Sequence, residues 1–538
     1  MTMVDIFQGQ QYYYLLFALL GLLHLTREIL LYFNFWQIKQ YRWDRLKDGL
    51  KENYWVLLPR SAVISSLILL SCFFLTEQLF AYLTLINLLI WDGYAAVKLL
   101  KKKWVYPIAT KKSKVFFLGA LVALILFKTL AFVYFPLYLP QITLLLIAFA
   151  PILALIYLIA AEWPAQLMKN RIINKAKLHR NKFPELKVIG ITGSFGKTSV
   201  KDFLYHFLSY KYGSDKIVRT EGNINTQLGI AQTVLSKINK ETIFFICEMG
   251  AYRPNEIKKS AELAKPQIGI LTGINGQHSS LFGSQKKIIL AKYELIQSLP
   301  KNGLAVFNGD NRWSRLLAEK FNNKIIVSTK TQNNSSWFSS NVKIEKKSLD
   351  FTMIKGSEKI DFKTSLIGSQ NIINIMMASV VALKLGLNIE EISKASLSLP
   401  FPAKSPYIFN YNRSDIIDAT YSSNPDGALA HLHHLRLWSG YRAIIMHGFI
   451  ELGLNTNKAY YQLGRAIGRC CHIAIFTDDH NLEFIKKGLV SVEGETEIIF
   501  TKNINEILEK IKKFQKPEDI ILLEGRLKKE LMNSLKRA

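Results

Sequence analysis

Acidic residues are scarce in this chain: 41 Asp and Glu face 69 Lys and Arg in 538 residues, for a formal charge of +28. An excess of that size fits a nucleic acid or a membrane surface. No nucleic-acid motif accompanies it and the basic residues gather beside apolar stretches, so a membrane surface is expected and nucleic acid is not. Cysteine is also sparse. Cys72, Cys247, Cys470 and Cys471 give neither a disulfide framework nor the spacing of a zinc site, which suits a reducing cytosolic setting for the soluble part. Met1–Gln10 holds no lysine or arginine. Without a basic leader region a cleaved signal peptide is disfavoured, and the first apolar stretch is expected to stay in the protein.

Long apolar runs are plentiful before residue 165 and then cease; beyond it, strand and helix patterns alternate as in a soluble α/β protein. Five spans are expected, at about 12–34, 56–76, 79–97, 115–135 and 141–162. Lys39, Arg42, Arg45, Lys47, Lys51 and Arg60 separate the first two, and Lys98, Lys101, Lys102, Lys103, Lys111, Lys112 and Lys114 separate the third and fourth. The opposite connections carry no such charge, which places the N-terminus outside and everything after residue 165 inside. His24, Arg27, Glu28 and Lys128 interrupt the spans and are read as paired or snorkelling, because each costs about 2.5–3.5 kcal/mol at mid-membrane. The basic run from Lys169 to Arg180 is expected to lie along anionic headgroups.

Residues 190–199, Gly-Ile-Thr-Gly-Ser-Phe-Gly-Lys-Thr-Ser, form a glycine-rich turn between an apolar strand (Leu186–Ile191) and an amphipathic helix. Gly193 and Gly196 let backbone N–H groups converge on one anion at a helix N-terminus. Lys197 reaches outer phosphates, Thr198 ligates magnesium, and Ser199 adjoins them. Ile191 stands where the longer form of this motif has glycine, so only the shorter Gly-x-x-Gly-Lys-Thr-Ser version is met. A plain strand-to-helix turn is the competing reading.

Further stretches follow in order: Thr220–Gly229, Cys247-Glu-Met-Gly250, Thr272-Gly-Ile-Asn-Gly-Gln-His278, Ala291-Lys-Tyr-Glu294, Asn308-Gly-Asp310, Gly368–Asn374, Asp418-Ala-Thr-Tyr-Ser-Ser-Asn-Pro-Asp426 and Glu451-Leu-Gly453. Together they resemble the Mur ligases, ATP-dependent amide-bond-forming enzymes of peptidoglycan synthesis, over about residues 186–538. The Tyr-x-x-Asn-Pro-Asp and Glu-Leu-Gly stretches are most similar to the branch that adds D-alanyl-D-alanine to a muramyl tripeptide. The apolar and basic patterning divides the chain into a transmembrane helical domain (1–165) and a basic linker (166–185), and the resemblance implies a P-loop Mur ligase central domain (186–400) and a Rossmann-like C-terminal domain (401–538). It implies ATP and Mg2+ as cofactors. Lys197 would contact phosphate; Thr198 and Glu248 would hold one magnesium and His278 a second; Lys292 would be carbamylated beside the metal. Asn371, Asn374 and Asp418 would contact the nucleoside, while Asn223, Asn225, Tyr421, Asn424, Pro425 and Asp426 would serve the substrates. A solvated strand end for Glu248, a solvated helix face for Lys292 and helix capping for the asparagines are the competing readings.

The chain departs from the family in several places. Asp418-Ala419 stands for paired aspartates, Ser422 for asparagine, Gln370 for a histidine, His447-Gly448 for Gly-Asp, and Glu524-Gly525-Arg526 for Lys-Gly-Ser; the arginine expected near Pro402–Ser405 is missing. The spans occupy the place of the domain that grips the UDP-sugar, so a muramyl peptide that is lipid-linked or delivered at the bilayer is expected as acyl substrate. A poly-γ-glutamate-type ligase and a non-catalytic nucleotide-binding envelope scaffold are the alternatives; transport is disfavoured by five short spans with few polar groups.

Overall fold

A computed structural model of the chain describes residues 3–38, 60–71, 73–101, 108–222, 224–275, 282, 284–330, 335–401, 406–420, 424–449, 456–479, 481–492 and 494–537. It resolves into two compact units, Met1–Asn170 and Arg171–Ala538.

Among the described residues four helices are long and apolar enough to cross a membrane, within Tyr14–Ile38, Glu77–Leu100, Ser113–Tyr134 and Pro136–Asn181. Of the second expected span the described residues hold a 12-residue helix, Arg60–Ser71, about 18 Å long at 1.5 Å per residue, and residues 56–59 and 72 lie outside the described residues. A turn through Phe73–Leu75 and the N-cap Thr76, whose side chain accepts from Leu79 N, start the next helix close to the connection expected between the second and third spans. The interrupting charges meet inside the first unit. Arg27 donates to Glu28 at 2.6 Å and to the Trp91 carbonyl at 2.8 Å, His24 Nδ1 lies 3.1 Å from Asp92, and Ser61 donates to Glu28 at 3.2 Å. Lys128, buried, donates to Thr143 Oγ1 at 2.5 Å. Pairing is thus the solution taken. Asp92, on the Glu77–Leu100 helix, completes a network that the sequence reading saw only from one side.

The last long helix runs from Leu139 to Asn181 without a break at residue 165. The expected headgroup-lying segment therefore takes another role over its second half. Ala176 is buried in the α/β core, with Ile172, Ile173 and Phe183 packed against it. The Arg180 guanidinium, 3% exposed, donates to the carbonyls of Ala264 at 3.0 Å and Leu186 at 3.2 Å. Arg180 is a fastener of the second unit; its donors close carbonyls that burial would otherwise leave unpaired.

The central sheet comprises β1 (Lys187–Thr192), β2 (Ile217–Arg219), β3 (Phe244–Glu248), β4 (Ile268–Leu271), β5 (Leu304–Asn308), β6 (Lys324–Ser328), β7 (Trp337–Ile344), β8 (Leu349–Lys355) and β9 (Glu358–Thr364). Their order is β2-β3-β1-β4-β5-β6-β7-β8-β9, parallel from β2 to β7 and antiparallel through the β7-β8-β9 meander. Strands β1 and β3 are buried apart from Lys187 and apolar except at their ends, as expected of parallel strands covered on both faces. From β1 the chain goes first to β2 and β3 on one side and then to β4 on the other. The order reverses at β1, and the crevice at the carboxyl ends of β1, β3 and β4 is where a parallel sheet binds ligands. Register brings Ile191 opposite Glu248 and Thr192 opposite Leu271.

The second sheet contains β10 (Tyr407–Tyr411), β11 (Ser414–Ala419), β12 (Arg442–Met446), β13 (Ile473–Phe476), β14 (Glu497–Phe500) and β15 (Ile520–Glu524), ordered β10-β11-β15-β12-β13-β14. All neighbours are parallel except the β10/β11 hairpin.

Candidate active site

The turn after β1 has the shape that its glycines allow. Gly196 sits at φ +77° and caps the helix Lys197–Tyr212; a Cβ there would lie 2.6 Å from Asn374 Oδ1. Ser194 N donates to the Gly273 carbonyl at 2.7 Å, and Thr272 Oγ1 donates to the Phe195 carbonyl, so the loop after β4 braces the turn. Lys197 Nζ folds back onto the carbonyls of Gly193 at 2.8 Å and Ser194 at 3.4 Å. Burial and the neighbouring Lys201 draw its pKa below the ordinary lysine value, against the pull of Glu248. Ser199 lies in the first turn of the same helix.

At the end of β3, Glu248 is 2% exposed, far from the solvated strand-end charge of the competing reading. Its Oε2 accepts from Thr198 Oγ1 at 2.9 Å and from Lys201 Nζ at 3.3 Å, and Asn225 Nδ2 donates to Oε1 at 3.2 Å. Lys201 was not singled out from sequence. Thr198 and Glu248 supply adjacent hard oxygen donors beside a phosphate loop. Magnesium usually takes one or two carboxylates and fills the remaining positions with water and phosphate oxygens, so this pair fits it. Among the described residues no group of three or more His, Cys, Asp or Glu could hold a metal. His278 and Asn223 lie outside the described residues.

Lys292 is on the helix Gln285–Gln297 and is 6% exposed. It shares one pocket with Gly193, Ser194, Lys197, Asn225 and Gly250. Burial and the facing Lys197 lower its pKa to about 7, opposed by Glu256, Glu294 and Glu248. A solvated face is therefore not its setting. Glu294 accepts from Asn255 N at 2.5 Å and Lys258 N at 3.0 Å, fixing the start of the helix Glu256–Ala264 against this one.

Residues 191–382, which hold all of these groups, match the Mur ligase middle domain. Over these residues the chain is similar to that domain. A UDP-N-acetylmuramoyl-tripeptide--D-alanyl-D-alanine ligase from Buchnera aphidicola is 30% identical over 282 residues, 52% of this chain and 60% of that protein. The chain thus spans about three fifths of the length of this relative. Two solved structures share the fold. MurF from Acinetobacter baumannii aligns with a TM-score of 0.61 at 21% identity, over 69% of this chain and 81% of that one. MurF from Thermotoga maritima, solved in complex with ADP, aligns with a TM-score of 0.58 at 21% identity, over 68% and 85%.

Around this core the other expected residues divide. Asn374, 6% exposed, packs against the phosphate loop at Gly196, whereas Asn371 Nδ2 donates to the Ile367 carbonyl one turn back, the capping-type use that competed with a nucleoside contact. Asp426 Oδ2 accepts from Asn275 Nδ2 at 3.0 Å, joining the loop after β4 to the helix Pro425–Leu435 of the C-terminal sheet. Asn424 caps that helix by accepting from Gly427 N at 3.0 Å. Asp418, buried at the end of β11, is held by Tyr407 at 2.8 Å and Thr420 at 2.7 Å, with Lys536 at 3.6 Å. Its partners all belong to the C-terminal sheet domain. Tyr421 and Glu451-Leu-Gly453 lie outside the described residues. Glu524, where the family has lysine, is fully buried and paired with His431 Nδ1 at 2.7 Å; burial raises its pKa and His431 opposes this.

Proposed function

We propose that the chain is an ATP-dependent carboxylate–amine ligase that joins D-alanyl-D-alanine or a related amine to a muramyl peptide. We propose further that its apolar helices anchor it in the bacterial plasma membrane, N-terminus outside and catalytic domains cytoplasmic. One observation carries the chemistry: the phosphate-loop lysine Lys197, the Thr198–Glu248 oxygen pair and Lys292 converge on the crevice where the strand order reverses. ATP supplies the phosphoryl group that activates a carboxylate, and Mg2+ neutralises its oxygens; the remaining catalysis is positioning.

In this reading the N–H groups of the turn from Gly193 to Thr198 cradle the phosphates at the helix N-terminus. Lys197 exchanges its loop carbonyls for the outer phosphate oxygens. Thr198 and Glu248 would hold one magnesium, and His278 would help to hold a second. Lys292, with a pKa near 7, has a substantial neutral fraction at physiological pH and can add CO2, which would turn a cation into an anion at the metal. Asn223, Asn225, Tyr421 and Asp426 serve the acyl and amine substrates, and Asn371, Asn374 and Asp418 the nucleoside. The Asn275–Asp426 bond supports closure of the C-terminal domain over the site. The four apolar helices support a lipid-linked or membrane-delivered acyl substrate.

The buried Glu524–His431 pair in place of a family lysine favours a second reading, a nucleotide-binding scaffold without ligase turnover. Incubating the detergent-solubilised protein with ATP, UDP-linked or undecaprenyl-linked muramyl peptides and D-alanyl-D-alanine, with products weighed by mass spectrometry, separates the two. A new amide product that is lost in Lys197→Ala is expected. Nucleotide binding with no product from any acceptor leaves the scaffold.

A further inference from the structure

One turn beyond Lys197, on the buried side of the same helix, lies a second lysine that the reaction above does not use. Lys201 is 1% exposed. Its ammonium donates to Glu248 Oε2 at 3.3 Å and to the Gly222 carbonyl at 2.8 Å. A buried cation persists only with such partners, and removing one leaves the other uncompensated. Two features of the geometry matter. Oε2, the oxygen that Lys201 holds, is the one shared with Thr198, so a magnesium ion seated between Thr198 and Glu248 must use a carboxylate already bound to a positive charge. In addition, Gly222 precedes Asn223, and Asn225 of the same turn holds Oε1, so the carboxylate is fastened to this turn at two points.

We infer that Lys201 is a positioning residue, the resident counter-cation of the metal carboxylate. It keeps Glu248 against Thr198, its charge opposes the incoming divalent cation and holds magnesium affinity down, and it locks the 222–225 turn to the metal side of the site. The inference rests on reading the site as one for a magnesium nucleotide.

The test uses ADP as the probe and titrates magnesium into the full-length protein in detergent, reading calorimetric binding and thermal stability. Lys201→Met removes the charge; Lys201→Gln also removes it but keeps a donor, and carries the measurement should the methionine variant fail to fold. Both neutral variants are expected to half-saturate at tenfold or more lower magnesium, about 1.4 kcal/mol, while kcat falls as the turn is released. Lys201→Arg is expected to retain the wild-type half-saturation. A lysine that only packs the core would lower stability equally with and without magnesium. A folded neutral variant with unchanged or weaker magnesium half-saturation overturns the inference. Absence of magnesium-dependent ADP binding in the wild-type protein overturns the ligase reading instead.

Discussion

Replacing Lys292 by methionine is expected to stabilise the protein while abolishing its turnover. The fall in pKa from 10.5 to about 7 means that the folded state holds the ammonium at a cost of about 5 kcal/mol, at about 1.4 kcal/mol per unit. Methionine conserves most of the volume and carries no charge to desolvate. Between pH 7 and 10.5 the unfolded wild-type chain binds more protons at this site than the folded one, so wild-type stability rises with pH across that window. Below pH 7 both states are protonated and the penalty is fully present; above 10.5 it has vanished. The advantage of Lys292→Met over the wild type is therefore largest below pH 7 and shrinks toward zero by pH 10.5. Urea unfolding of both proteins in detergent at pH 6.5, 8 and 9.5 measures it. A stability difference that does not change with pH, or a variant less stable at pH 6.5, refutes the argument.

Gly196→Ala places a Cβ at φ +77° and 2.6 Å from Asn374 Oδ1; it should cost about 1–3 kcal/mol and weaken ADP binding, and a variant with unaltered melting and binding would show that the turn is not constrained. Asp426→Ala removes one bond to Asn275 worth about 0.5–1.5 kcal/mol, so steady-state kinetics should show a higher KM for the amine with little change for ATP. Equal rises in both would count against a closure role. In the helical unit, Glu28→Leu removes the nearer carboxylate of Arg27, at 2.6 Å, and leaves it Asp92 at 3.6 Å; it should cost up to about 3 kcal/mol, recovered in part by Arg27→Met/Glu28→Leu. Additive losses in that double variant would mean that the two charges are not coupled.

The site was legible where chemistry is written in contiguous residues. The phosphate loop, the carboxylate ending an apolar strand and the lysine before Tyr293 each sit in short runs whose order survives folding. Lys201 was not legible, because a lysine on an amphipathic helix looks solvated until partners 21 and 47 residues away arrive beside it. Asn371 and Asn424 show a different case: beside the binding role expected of them, their amides bond to the Ile367 carbonyl and a helix N-terminus, a local use that sequence left open. Fold class was readable from the change of apolar pattern near residue 165. The helix boundaries were not, since the last long helix carries its basic turns into the α/β core through Ile172, Ile173 and Ala176, and hydropathy alone cannot distinguish a headgroup-lying face from a packed one. The connection at Thr76-Glu77-Gln78 was legible because two polar residues and a capping threonine interrupt the apolar run there.

The central claim is that the turn from Gly193 to Thr198, with Glu248, grips a magnesium nucleotide. Isothermal titration of ATP into the wild-type protein with and without magnesium, beside Lys197→Ala and Glu248→Gln, tests it most directly. The account predicts magnesium-dependent binding that each substitution weakens by tenfold or more; binding of equal strength in all three proteins would contradict it.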